Sequence, residues 1–288
     1  MIKWSEIPVK ERKAKYKQIS DGKSLLVKTA MLTNIYKNLD CVLINCGPSA
    51  SEFDKEVIAD FCKDKPLFTV KTVTKKYSDI TDIHISNFYA TFQFPQERDY
   101  IALTRQEMPL GYNNWINPDL VEHDTLCETF ENEPDTLWGS DVTARHSNSV
   151  VNGNRWEENS LKNNPYNRII GPGIMNDMIV PILVHTGIKK VSILGWDGAK
   201  IQKDGSIKHF YDLEPQYKPT INYVSNKFDL NNLKSDTAEC EQKIAKRGED
   251  HILDYFKTKN IEIEILTKNS AISNSIKRNY ILYGEQNE

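Results

Sequence analysis

Three short turns place small residues and polar donors where an apolar run gives way to a helical pattern. The first, Cys46-Gly-Pro-Ser-Ala-Ser51, follows Cys41-Val-Leu-Ile-Asn45. Gly47, with Ser49 and Ser51 as helix-starting residues, predicts free backbone N–H groups at a helix N-terminus, a site for an anion. The second, Ile170-Gly-Pro-Gly-Ile174, opens the apolar stretch Ile174-Met-Asn-Asp-Met-Ile-Val-Pro-Ile-Leu-Val-His-Thr-Gly187. Its glycines would let a ligand approach the backbone. The third, Gly195-Trp-Asp-Gly198, holds the carboxylate of Asp197 at a strand end. Tight packing also selects glycine at such turns, and that alternative stands beside each of the three.

The usual signatures of other chemistries are missing. No GxGxxG follows the first apolar run and no GxxxxGK[ST] occurs, so dinucleotide and P-loop sites lack their minimum. There is no HExxH, no Cys/His cluster at zinc spacing and no GxSxG elbow. No DxD motif is present to hold a divalent cation against a diphosphate, and neither a metal nor a cofactor is expected.

The elements that must position these turns follow from hydrophobic periodicity. Short β-branched runs at 41–45, 67–73, 83–87, 100–104, 191–195 and 261–266 read as strands. Helical patterns occupy 23–38, 50–63, 173–186 and 237–258. Strands alternating with helices predict an α/β, Rossmann-like, mostly parallel sheet flanked by helices. The expected organisation is an N-terminal helical extension (1–39), one α/β domain (40–280) and a tail (281–288). Two stretches interrupt the alternation. A polar insertion at 106–168 carries Trp115, Trp138, Trp156 and Tyr166, residues that either stack on sugars or anchor the insertion to the core. The stretch 198–236 has an Asp204-Gly205 hairpin turn and many tyrosines. It follows the 191–195 strand at the carboxyl edge of the sheet, where open α/β proteins bind ligands, and reads as a lid.

The 288 residues suffice for a large core, and 37 basic against 40 acidic residues give a formal charge of −3. That balance gives no support to wholesale nucleic-acid binding. Five scattered cysteines without a CxxC pair read as reduced thiols. The charged N-terminus lacks the apolar core of a secretory signal, and no run approaches the roughly 18 apolar residues of a membrane span, so a cytoplasmic location is expected. The Lys10–Lys17 cluster reads either as a solvated helix face or as a peripheral contact with the inner face of a membrane.

The order of strand-Gly-Pro-Ser turn, Gly-Pro-Gly helix, Val-Ser-Ile-Leu-Gly-Trp-Asp unit, His209-Phe-Tyr-Asp212 and a late strand leading to Asn269-Ser270 resembles the bacterial sialyltransferase-like fold. That group transfers sialic acid, Kdo and related CMP-activated ulosonic acids. The resemblance spans roughly residues 40–105 and 168–277 and rests on short motifs. It implies that Asn45, Cys46, Gly47, Pro48 and Ser49 line the nucleotide, with Cys46 where sialyltransferases have Asn. It further implies donor contacts from Lys71 and Asn87, a cytidine-side turn at Gly171, Pro172 and Gly173, and the terminal pair Asn269 and Ser270. The lid tyrosines Tyr211, Tyr217 and Tyr223 would grip the phosphate. The family's proposed histidine base past the lid has no counterpart in Leu233-Lys-Ser-Asp-Thr-Ala-Glu-Cys-Glu-Gln-Lys-Ile-Ala-Lys-Arg-Gly248.

His209 is then the leading base, since an ordinary imidazole titrates close to neutral pH; a structural role in the lid is the alternative. Asp197 is a second candidate, as base or as carboxylate nucleophile of a retaining double displacement, against a role in capping its own turn. His84 and His185 read as packing residues and Glu239 as a cap. The expected function is a glycosyltransferase moving an ulosonic acid from CMP to an oligosaccharide or lipid-linked glycan. The alternatives are an ATP-dependent phosphotransferase resembling pterin diphosphokinases, and a non-catalytic glycan-binding module.

Overall fold

The computed structural model describes residues 4–20, 31–87, 99–105, 179–197, 209–218, 253, 256–270, 272 and 275–284. The molecule has an α/β, Rossmann-like fold. Seven strands, β1 (Asp40–Ile44), β2 (Leu67–Val70), β3 (Ile83–Asn87), β4 (Ile101–Arg105), β5 (Lys190–Leu194), β6 (Glu262–Ile265) and β7 (Lys277–Arg278), form one sheet in the order β4-β3-β2-β1-β5-β6-β7. Every pairing is parallel. β2, β3 and β4 extend to one side of β1 and β5, β6 and β7 to the other, so the strand order reverses between β1 and β5. Such a reversal leaves a crevice at the carboxyl ends of the two central strands.

Both faces of the sheet are buried, as a parallel sheet demands. Leu43, Phe68, Val70, Ile83, Ile193 and Ile265 join Trp4, Tyr36, Leu183 and Phe256 in one cluster. Val42, Ile44, Leu67, Leu194 and Leu266 join Ile58, Val73, Tyr77 and Phe210 in the other. Alternate residues of β1 thus serve opposite cores, and each large side chain taken fully from water contributes about 1.5–3 kcal/mol.

Helix α1 (Val9–Ser20) sits at the amino edge. Its Tyr16 hydroxyl donates to Asp82, just before β3, and its Lys13 pairs with Asp99, just before β4. α2 (Lys55–Phe61), α3 (Thr74–Tyr77), α4 (Val180–His185) and α5 (Phe210–Leu213) follow along the chain.

Several boundaries differ from the sequence expectation. The helical pattern over 23–38 has turned by residue 33: Asn34, Tyr36 and Asn38 donate their N–H groups to the carbonyls of His185, Thr186 and Gly187, each at 2.9 Å. Asn34 and Asn38 take left-handed conformations along that path. Gly187, at φ +81°, is required there, since a Cβ would meet Asn34 Oδ1 at 2.7 Å. The strand expected over 67–73 stops at Val70, because Lys71 turns to φ +53° and starts a 3-10 turn, Lys71–Val73. The helix expected over 50–63 begins only at Lys55; Pro48–Ser51 is a separate 3-10 turn. The insertion 106–168, most of the 237–258 helix pattern and the lid beyond 209–218 lie outside the described residues.

Candidate active site

The β1–β5 pairing continues past both strands. Asn45 N–H donates to Leu194 O and Gly47 N–H to Gly195 O, each at 2.9 Å, so the two turns stay in contact beyond the sheet. Asp197 then folds back over the first turn: one carboxylate oxygen accepts from the Ser49 N–H at 2.8 Å and the other from the Ser49 hydroxyl at 2.5 Å. Thr267, at the end of β6, donates to that same hydroxyl at 3.1 Å. Asp197, Ser49 and Thr267 are all buried, and together they tie the ends of β1, β5 and β6.

This arrangement explains two glycines. A Cβ on Gly47 would lie 2.3 Å from an Asp197 oxygen and 2.5 Å from Gly195 O. Gly195, at φ +70°, would bring a Cβ to 2.3 Å from Asn45 O. The open face expected at Gly47 for a phosphate is therefore filled by the carboxylate of Asp197. The helix N-terminus expected at Ser49 is a four-residue 3-10 turn, and its Ser49 N–H is already bound.

Cys46 is buried; its N–H donates to Asn45 Oδ1 at 2.9 Å, and its carbonyl accepts the Phe210 N–H at 3.0 Å. That last bond docks the segment 209–218 on the first turn. Phe210 is buried beside Cys46 and Ala50 and lies 5.8 Å from the Tyr217 ring at an interplanar angle of 24°. His209, before α5, stacks on Tyr211 at 4.8 Å and 8°, and its N–H donates to Asp212 at 2.8 Å. Burial, with Cys46 and Asp212 beside it, pushes the Tyr211 hydroxyl well above the ordinary tyrosine range, so it acts as a neutral hydrogen-bonding group. A largely buried Lys76–Glu214 ion pair at 2.8 Å holds the far end of the segment against α3. Lys71, half-buried, leaves β2 beside it, and the Lys71–Val73 turn also contacts α5.

The residues expected at the site thus fall in two groups. Cys46, Lys71, His209, Tyr211 and Tyr217 gather over the β1–β2 ends; Ser49, Asp197, Asn269 and Ser270 gather over β5–β6. Pro48 opens the 3-10 turn that joins them. Ser270 spends its hydroxyl on the Trp196 carbonyl at 2.5 Å, and the Asn269 N–H donates to Glu52 at 3.1 Å. Asn87 closes β3, while Gly171, Pro172, Gly173 and Tyr223 lie outside the described residues. Among the described residues no group of acidic, His or Cys side chains is arranged to hold a metal ion.

Sequence reasoning passed over Thr267, Glu52 and Tyr283. Glu52 receives the Tyr283 hydroxyl and the N–H of Lys268, linking the first turn to the chain after β7. Two hydroxyls in the carboxyl-edge turns, Ser51 and Thr72, are covered and have no hydrogen-bond partner. No motif marks Thr267, Glu52 or Tyr283, because each is defined by a contact distant in sequence; Thr72 carries no motif either, and Ser51 reads in the sequence only as a helix-starting residue.

No family model matches the chain, and no curated protein matches it. Among solved structures, a variant of the sialyltransferase CST-II in complex with CMP is similar over 83% of this chain and 85% of its own, at 15% identity and a TM-score of 0.35. That degree of superposition carries no argument for a shared chemistry.

Proposed function

We propose that the chain is a glycosyltransferase that moves an ulosonic acid, of sialic, Kdo or related type, from a CMP-activated donor to a glycan hydroxyl. One observation carries this reading: the lid segment docks by a main-chain bond from Phe210 to Cys46, which brings His209 and Tyr211 over the turn at the reversal of strand order. Open α/β sheets bind nucleotides at that place, and a lid there excludes water from a transfer reaction.

In this reading the bond from the anomeric carbon to the CMP phosphate breaks as the acceptor oxygen bonds to that carbon. His209 takes the acceptor proton, and CMP leaves as the anion. Lys71 supplies positive charge beside the leaving phosphate, and the neutral Tyr211 hydroxyl supplies a donor. The unpartnered hydroxyls of Ser51 and Thr72 are further donors in the flanking turns. Asp197 has both oxygens engaged by Ser49, which favours a positioning role over that of nucleophile.

Calorimetric titration with CMP, CDP, UDP and ATP tests the donor: CMP should bind most tightly, and a preference for UDP or ATP defeats the reading. In the transferase assay His209→Ala should lower turnover by about 10²–10⁴ with CMP affinity retained.

A further inference from the structure

Charge is distributed very unevenly along this chain. Helix α1 carries Lys10, Arg12, Lys13, Lys15 and Lys17 against the single Glu11, a net +4 on a chain whose total is −3, which leaves −7 on the remainder. Two of the five cations are turned inward or paired. Arg12 lies 4.7 Å over the Trp4 ring and 3.7 Å from Asp82, and Lys13 pairs with Asp99 at 2.5 Å. Lys10, Lys15 and Lys17 are exposed and form no ion pair among the described residues.

The helix cannot roll to hide them. Tyr16 is buried and donates to Asp82 at 2.7 Å, fixing that side of α1 to the sheet, so the opposite side faces solvent. On that exposed arc Lys10 and Lys17 share one margin, with the small Ala14 beside them, and Lys15 lies at the opposite margin, about 150° around the helix axis. Glu11 is the one carboxylate of α1 exposed there.

We propose that the outward face of α1, carrying Lys10, Lys15 and Lys17, is a docking surface for anionic phospholipid headgroups. The face is built for diffuse electrostatic adsorption. Its free cations are all lysines, hydrated point charges on long stems, while the one guanidinium is spent internally; the forked donor that reads phosphates and base edges of nucleic acid is thus withheld. It has no apolar stripe to insert, and no described helix is long and apolar enough to cross a membrane. Contact through one helix face also keeps the acidic remainder away from the lipid charge.

The test is co-sedimentation of the full chain with vesicles of phosphatidylcholine, with and without a one-third share of phosphatidylserine. Binding should require phosphatidylserine and fall steeply as salt rises from about 0.05 to 0.5 M. Each lysine near the surface should contribute about fivefold in partitioning, so the triple variant Lys10→Ala, Lys15→Ala, Lys17→Ala should lose about a hundredfold. Its melting temperature and CMP affinity should stay unchanged, since these side chains touch neither core nor site. Absence of binding by the native chain, or equal binding by the triple variant, overturns the proposal. Tighter, equally variant-sensitive binding to duplex DNA overturns it in favour of a nucleic-acid surface. None of these outcomes depends on nucleotide chemistry, so failure of the donor assignment is read separately in the calorimeter.

Discussion

Lys71 is the one residue other than asparagine or glycine in the left-handed region among the described residues, at φ +53°. Asparagine tolerates that conformation through local side-chain bonding, whereas lysine has no such compensation and is strained by about 1–2 kcal/mol. The strain lies at the carboxyl end of β2, beside the segment that carries His209 and Tyr211. A strained, charged residue at the carboxyl edge of the sheet motivates a test of whether its charge serves a ligand or only the turn. Lys71→Gly separates the two effects because they have opposite signs. The variant should be more stable by about 1 kcal/mol in urea unfolding, while its CMP affinity falls about tenfold or more. A stabilised variant with native affinity would show that Lys71 serves only the turn.

The segment 209–218 is held by three kinds of contact at the scale of an element: the main-chain bond to Cys46, the burial of Phe210, and the Lys76–Glu214 pair. The first two set where it sits, and the third, at the far end, sets how long it stays. Glu214→Gln leaves Lys76 largely buried without its counter-charge, so amide exchange in 209–218 should accelerate about tenfold. Exchange in β1 should not change. Elements of this kind are only partly legible in sequence. The six apolar strands are, because a β-branched run with turn residues on both sides has few other fates. β7 is not: Lys277 and Arg278 become a strand only by pairing with Glu264 and Ile265. The end of β2 and the turn over 33–38 were hidden for a related reason, since left-handed residues and bonds to 185–187 override the local pattern. The same limit applies to the site. The glycine-rich turns are visible, but that Asp197 fills the space beside Gly47 follows from a contact 148 residues long in sequence.

One carboxylate joins the N-terminal helix to the whole sheet. Asp82 is buried between the starts of β2 and β3; it accepts the Leu67 N–H at 2.8 Å and the Tyr16 hydroxyl at 2.7 Å, while Tyr36 donates to Tyr16 at 3.0 Å. Burial raises its titration to about 6, against the lowering by the Leu67 N–H, the Tyr16 hydroxyl and the nearby Arg12 and Lys13. The folded state therefore binds this proton more tightly than the unfolded chain, where an aspartate titrates near 4. By linkage, the contribution of Asp82 to stability is fully present below about pH 4, is lost as pH rises towards about 6, and is constant above that. The loss amounts to about 2–3 kcal/mol. Other carboxylates run the opposite way: Glu264, bonded to Ser192 and paired with Lys190, is held below the usual carboxylate range and loses its contribution as pH falls. The measurement must therefore be a difference. Urea unfolding of the native chain and of Asp82→Asn across pH 4–7 cancels the shared carboxylates. The native chain should lose stability relative to the variant by about 2–3 kcal/mol between pH 4 and 6, with no further change to pH 7. A difference that stays flat across that range would mean that Asp82 titrates alike in the folded and unfolded chains, and that the joint between α1 and the sheet is not built around a buried charge.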